Sequence, residues 1–166
     1  AYLDRSTGRG KPPGQGNRMA DDDLMALYSR RLLALAADIP HLGRLDAPQG
    51  SASFRSPQCG STVTADVVLA DGRVVGFAQE VRACALGQAS AAVLGGAVMG
   101  RTPAELARAR DALRAMLAEA AAPPPPPFDG AEALLAAREF PNRHASILLA
   151  WQAAAGAAED AAAADD

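Results

Sequence analysis

Aromatic side chains make up only 4% of this 166-residue chain, lysine occurs once, at Lys11, and cysteine twice, at Cys59 and Cys84. Each scarcity excludes something. With so few rings the core must be assembled from Ala, Val and Leu, in a composition that is 49% hydrophobic and 21% charged. Two cysteines are too few for the disulfide framework of a small secreted domain, and no secretory apolar region opens the sequence, so a reducing, cytoplasmic setting is expected. A net charge of -3 argues against a nucleic-acid partner, which needs a clustered basic face. No apolar run approaches the roughly 18 residues of a membrane span, so no membrane partner is expected. A hydrolase triad is also unsupported: there is no Gly-x-Ser-x-Gly elbow, and neither His41 nor His144 stands in a recognisable relation to a serine nucleophile.

What is present fits one ordinary domain with tails. Residues 1–18 are rich in Gly, Pro and Arg without apolar periodicity, and read as a disordered leader or non-native extension before a natural start at Met19. The domain proper is expected over 19–157, with a flexible acidic tail over 158–166 that frays into solvent. Leu24, Leu27, Tyr28, Arg31, Leu32 and Leu35 recur at helical spacing, and Pro40 stops that helix. Residues 41–50 are loop chemistry, and 51–55 suit a short edge strand.

The clearest local pattern follows. Val63, Ala65, Val67 and Leu69 alternate with Thr62, Thr64 and Asp66, which describes a half-buried strand over 62–70. Asp71-Gly72 is a type I′ hairpin signal, and 73–81 is the returning strand. A helix rich in small residues spans 85–99 and ends at Gly100. Thr102-Pro103-Ala104-Glu105 combines an N-cap, a proline at the first helical position and a capping-box glutamate, opening a helix to about residue 121. Pro123 to Pro127 predicts a stiff polyproline II spacer, more plausibly a connector than an SH3-type ligand. Asp129 caps a short helix over 130–138, and a final helix carries Ile147, Leu148 and Trp151. A small antiparallel sheet with helices over one face makes the fold class α+β.

The two cysteines bracket the hairpin. A hairpin returns the chain to its starting edge, so both sulfurs can share one rim of the sheet, where they would suit a metal or a sulfur relay. Cys84 falls at a helix N-terminus, which favours thiolate over thiol. Against this stands the ordinary role of free cysteine as a small buried hydrophobe, and neither residue belongs to a Cys-x-x-Cys pair.

Three ordered stretches carry a resemblance: Ser56-Pro57-Gln58-Cys59-Gly60, then Cys84-Ala85-Leu86-Gly87-Gln88-Ala89-Ser90, then Phe140-Pro141-Asn142-Arg143-His144-Ala145-Ser146 followed by Leu149-Ala150-Trp151. From Leu24 to Trp151 the chain resembles the iron–sulfur cluster assembly scaffold family, IscU and the N-terminal domain of NifU. The long separation of 62 from position 84 to 146 makes it most similar to the SufU branch. The resemblance implies a SufE/NifU-like α+β fold, a three-stranded antiparallel sheet with helices packed on one face. It implies a site of three cysteines and an aspartate two residues after the first. Here Cys59 and Cys84 occupy two of those positions, while Ser61 stands at the aspartate and Ser146 at the third cysteine. Serine hydroxyls are poor ligands for zinc or iron.

Three functional readings follow from the resemblance. In the first, Cys59 and Cys84 bind iron or a nascent iron–sulfur cluster, with a homodimer supplying four thiolates, or accept persulfide sulfur from a cysteine desulfurase. In the second, His144 or His41 completes a mononuclear zinc or iron site. In the third, the fold persists as a metal-free module that docks a cysteine desulfurase or another assembly component.

Overall fold

The computed structural model describes residues 28–164. The expected leader, the predicted helix start at Leu24 and Leu27, and positions 165–166 lie outside the described residues. The first described helix, α1, is Arg30–Ala36, capped by Ser29, whose hydroxyl accepts the Leu32 amide at 3.2 Å. Three strands follow, β1 (Gly50–Arg55), β2 (Thr62–Ala70) and β3 (Arg73–Arg82), in the order β1-β2-β3 with both pairs antiparallel. The β2–β3 connection is the expected tight turn, with Asp71 at φ 54° and Gly72 at φ 75°. A bulge breaks the register, since Val68 pairs with Gly76 and Leu69 with Val74, leaving Val75 as the extra residue.

Helix α2 (Ala85–Ala97) leaves the end of β3, and α3 (Pro103–Ala118) opens with the full capping box between Thr102 and Glu105. The polyproline run ends in a turn, with the Phe128 amide donating to the Pro125 carbonyl at 3.0 Å. The short helix after it is a 3₁₀ stretch, Asp129–Glu139, with Phe128 rather than Asp129 at its cap. A second short 3₁₀ turn, Pro141–Arg143, leads into the longest helix, α4 (His144–Ala164). Among the described residues no helix is long and apolar enough to cross a membrane.

Helix α4 is the centre of the packing. It lies across β1 and β2 on one side and against α2 and α3 on the other. The sheet can approach so closely because the contacting positions are small: Ala153, Ala154, Ala157, Ala158 and Ala161 have no exposed surface. At Gly50 a β-carbon would lie 2.3 Å from both the Ala157 carbonyl oxygen and the Ala161 amide nitrogen, so only glycine lets the edge strand rest on the helix backbone. The single tryptophan is held by a buried relay, its indole N–H donating to the Ser90 hydroxyl at 2.8 Å, which in turn donates to the Ile147 carbonyl at 2.6 Å. Phe128 packs beside the indole with ring centroids 5.4 Å apart.

Two expectations need correction. The acidic C-terminal segment does not fray after residue 157. α4 continues to Ala164, Ala158 and Ala161 are buried, and Asp160 accepts the Ser51 amide of the edge strand at 3.0 Å. The second correction concerns Asp66, whose alternation pointed it away from the helices toward solvent. It does point away from them, yet it is fully buried, because the loop 41–49 folds over that face. Arg44 grips its carboxylate with two bonds of 2.7 and 3.0 Å, and the Leu45 amide and the Ser51 hydroxyl donate at 3.0 and 2.6 Å.

Burial pushes the Asp66 carboxyl up, but the hydrogen bonds from Arg44, Ser51 and Leu45 and the charge of Arg44 outweigh it, so the group ionises below its ordinary range. A depressed folded value means that this stability is complete above the unfolded pKa of about 3.9 and is lost as the pH falls through the lower folded value. Acid melting curves of native protein and Asp66→Asn should therefore converge below about pH 4 and separate above it. Asp66→Ala should cost about 2–3 kcal/mol in denaturant unfolding at neutral pH, chiefly from the Leu45 amide and Ser51 hydroxyl left without an acceptor. Gly50→Ala should cost a similar amount, about 2–3 kcal/mol, because the clash is with backbone that cannot rotate away.

Candidate functional site

The β1–β2 connection is a tight loop closed on itself. The Ser56 amide donates to the Ser61 carbonyl at 2.8 Å and the Gly60 amide to the Ser56 carbonyl at 2.9 Å, with Gly60 at φ +75°. This places Cys59 exposed at the tip, with Ser56 and Ser61 buried beneath it. Cys84 is the N-cap residue of α2, reached directly from β3. Because Thr62 pairs with Arg82, the loop holding Cys59 and the residue Cys84 leave the same end of the sheet.

Helix α4 brings the fourth member. Ser146 sits in its first turn, 2% exposed, opposite Gly87 of α2. A β-carbon at Gly87 would come within 2.8 Å of the Ser146 hydroxyl, so the absence of a side chain there is what lets Ser146 reach the site. The result is a continuous string: Cys59 Sγ to Ser61 Oγ at 3.0 Å, Ser146 Oγ donating to Ser61 Oγ at 3.3 Å, and Ser146 Oγ to Cys84 Sγ at 3.5 Å. Cys59 also lies 3.4 Å from the Ser56 hydroxyl. All four positions that the sequence singled out (59, 61, 84 and 146) therefore meet in one place.

These contacts set the chemistry of Cys59. Hydrogen bonding by the Ser56 hydroxyl, then by the hydroxyl and backbone of Ser61, and weakly by Ser146, stabilises the thiolate against the opposing effect of burial, and the thiol is lowered to about 7. The two sulfurs open onto a cleft of about 500 Å³ lined by Gln58, Cys59, Cys84, Asn142 and Arg143. Arg143 is held by a 2.9 Å bond from Nη1 to the Tyr28 hydroxyl. That bond, and more weakly the nearby sulfurs of Cys84 and Cys59, hold its guanidinium still more firmly protonated than usual.

The histidines are placed elsewhere. The Nε2 atom of His144 is engaged with the Ala137 carbonyl at 2.9 Å, and His144 does not line the cleft. His41 stands edge-on to Phe77, with ring centroids 5.9 Å apart. Among the described residues no group of three or more His, Cys, Asp or Glu side chains gathers that could hold a metal ion. Arg143, Tyr28 and Ser56 belong to the site although the sequence reading gave them no role there. Arg143 lies within the third quoted stretch, and its position three residues before Ser146 is the one sequence signal that would have flagged it.

No protein-family model and no curated protein matches the chain. Solved structures do, and they define an α+β domain of the NifU-like kind. The N-terminal domain of a nitrogen-fixing NifU-like protein from Brucella abortus is 38% identical, with a TM-score of 0.82 over 85% of this chain and 98% of that one. At that identity and coverage, the chain belongs to the NifU-like N-terminal domain family. A protein described as an iron–sulfur cluster assembly scaffold for the SUF system, SufU of Fervidobacterium islandicum AW-1, shares the fold at 19% identity and a TM-score of 0.69, over 78% of this chain and 95% of that one. A hypothetical protein solved at 2.3 Å shares it at 23% identity and a TM-score of 0.68.

Alkylation of Cys59 by iodoacetamide, followed by peptide mass spectrometry across pH, should rise with a midpoint of about 7. Ser56→Ala should move that midpoint upward, since the largest stabilising contact of the thiolate is removed; an unchanged midpoint would show that the serines do not tune the thiol.

Proposed function

We propose that this domain works in iron–sulfur cluster assembly as a scaffold-like carrier that receives iron or a nascent cluster on Cys59 and Cys84, supplied with sulfur by a cysteine desulfurase. The observation that carries the reading is the hydrogen-bonded string from Cys59 through the buried Ser61 and Ser146 to Cys84, which assembles the four positions with both sulfurs on one solvent-facing cleft. Membership of the NifU-like family supports the process, and the pair of thiols supports the cargo.

The donor set limits what one chain can hold. Two thiolates and two hydroxyls do not make the closed tetrahedral set that a structural zinc ion takes, because an aliphatic hydroxyl stays protonated and binds such metals poorly. Zinc is the poorer fit. A cluster needs about four thiolate ligands, and two chains meeting at their clefts would provide Cys59 and Cys84 twice. Cargo binding is accordingly a property of a dimer in this reading.

The exposure and lowered pKa of Cys59 favour a second reading in which sulfur alone is carried. The Cys59 thiolate would attack the outer sulfur of a donor persulfide, forming a new S–S bond at Cys59 while the donor's S–S bond breaks and its thiolate leaves.

The two readings separate in one preparation. Anaerobic incubation with ferrous iron, cysteine and a cysteine desulfurase, followed by native mass spectrometry and assays of iron, zinc and acid-labile sulfide, should show iron and sulfide on dimers and none in Cys59→Ala or Cys84→Ala. Metal-free monomers carrying the mass of one added sulfur atom on Cys59 would favour the persulfide reading. Neither product, with desulfurase binding intact in Cys84→Ala, would leave a metal-free docking module.

A further inference from the structure

Within the cleft the two thiols share their surroundings with a single fixed charge. Its lining consists of Gln58, Asn142, the two cysteines and Arg143, with no carboxylate among them. Among the described residues, Arg143 has no carboxylate partner, and its guanidinium is tethered through one nitrogen to the neutral Tyr28 hydroxyl. A guanidinium carries five N–H donors in a planar fork, so this tether leaves most of them unspent. A half-buried arginine that shares a cleft with two nucleophilic sulfurs and has no carboxylate beside it is a place for an anion.

We propose that Arg143 makes the cleft a receptor for an anionic sulfur species, holding the terminal sulfur of a persulfide or a free hydrosulfide beside Cys59 and Cys84. The proposal rests on the reading that sulfur is handled at this site, and it assigns the charge state in which sulfur arrives. The arrangement fits that class of ligand better than a bare metal cation, which the same guanidinium repels. Tyr28 is a positioning residue: it fixes the guanidinium at the cleft wall without cancelling its charge.

Paired alkylating reagents test this without any metal or partner. Iodoacetate and iodoacetamide attack the same thiolate with similar shape but differ by one negative charge, so the ratio of their rates at Cys59 cancels both thiol ionisation and accessibility. A cation lining the same partly solvated cleft as the sulfur should raise that ratio roughly three- to tenfold. The ratio should fall by that factor in Arg143→Gln, largely persist in Arg143→Lys, and fall partway in Tyr28→Phe, where the charge remains but its tether is lost. Raising the salt concentration should compress the difference. Sulfate, an anion that does not react with the reagent, should at constant ionic strength slow iodoacetamide labelling of native Cys59 and of Arg143→Lys but not of Arg143→Gln. An equal ratio in native protein and Arg143→Gln would overturn the proposal, as would sulfate protection that survives the loss of the charge. Should Arg143→Gln fail to fold, Arg143→Lys and Tyr28→Phe still decide: an unchanged ratio in Tyr28→Phe with no sulfate protection of the native protein also overturns it. Iron and sulfide content is measured separately, so a chain that binds cluster without charge selectivity defeats this inference alone. A chain that shows the selectivity but binds neither iron nor sulfur defeats the functional reading alone.

Discussion

The close approach of α4 to its neighbours is the constraint on which the rest of the molecule depends. A helix lying on a sheet usually stands off by the length of its side chains, and here glycine and alanine remove most of that distance. Gly50 lets the edge strand touch the backbone of the helix near its C-terminal end, and Gly87 lets α2 close on its first turn. The core is then filled mainly by alanine and leucine, with Trp151 its largest fully buried side chain. Small contacts gain little dispersion energy each, so the packing is dense rather than bulky, and polar anchors supply direction. The Trp151–Ser90–Ile147 relay fixes the helix rotation, and that rotation is what turns Ser146 toward Ser61.

The parts of this architecture that were legible in the sequence are those written in local chemistry. Asp71-Gly72 needs two positive φ values and obtains them, and the Thr102–Glu105 box appears as the spacing requires. The meeting of Cys59 and Cys84 followed from hairpin geometry alone, because the register that pairs Thr62 with Arg82 returns the chain to its starting edge. What was not legible depended on segments distant in sequence. Asp66 alternates like a solvent-facing residue, and only the return of the loop at Arg44 and Leu45 buries it. The alanine- and acid-rich end of α4 has the composition of a fraying tail, yet the edge strand supplies both an apolar surface and an unpaired amide for Asp160. Neither partner can be inferred from a window of local sequence. Arg143 escaped notice for a similar reason, since a single arginine before a helix carries no periodic signal and its tether at Tyr28 lies 115 positions away.

Replacing a carboxylate and a thiol by two hydroxyls changes the electrostatics of the site more than its shape. The ligand set implied by the family resemblance would carry one negative charge per ligand when fully ionised, and a divalent ion would neutralise part of it. Here the serines stay neutral, the thiolates are at most two, and Arg143 offsets one of them. A chain with so little residual negative charge attracts a divalent cation weakly on its own, since each lost anionic ligand removes Coulomb attraction at short range. Hydrogen bonding with Ser56, and then with Ser61, whose own proton is free because it accepts from Ser146, lowers the thiol pKa without adding charge and so keeps Cys59 available as a thiolate near neutrality. The site is thereby poorer at holding a metal within one chain, while its exposed Cys59 is a ready thiolate. In the proposed carrier role, ligands beyond the two sulfurs would come from outside the chain, and the open cleft at the exposed loop tip of Cys59 is where a second subunit or a donor protein would supply them.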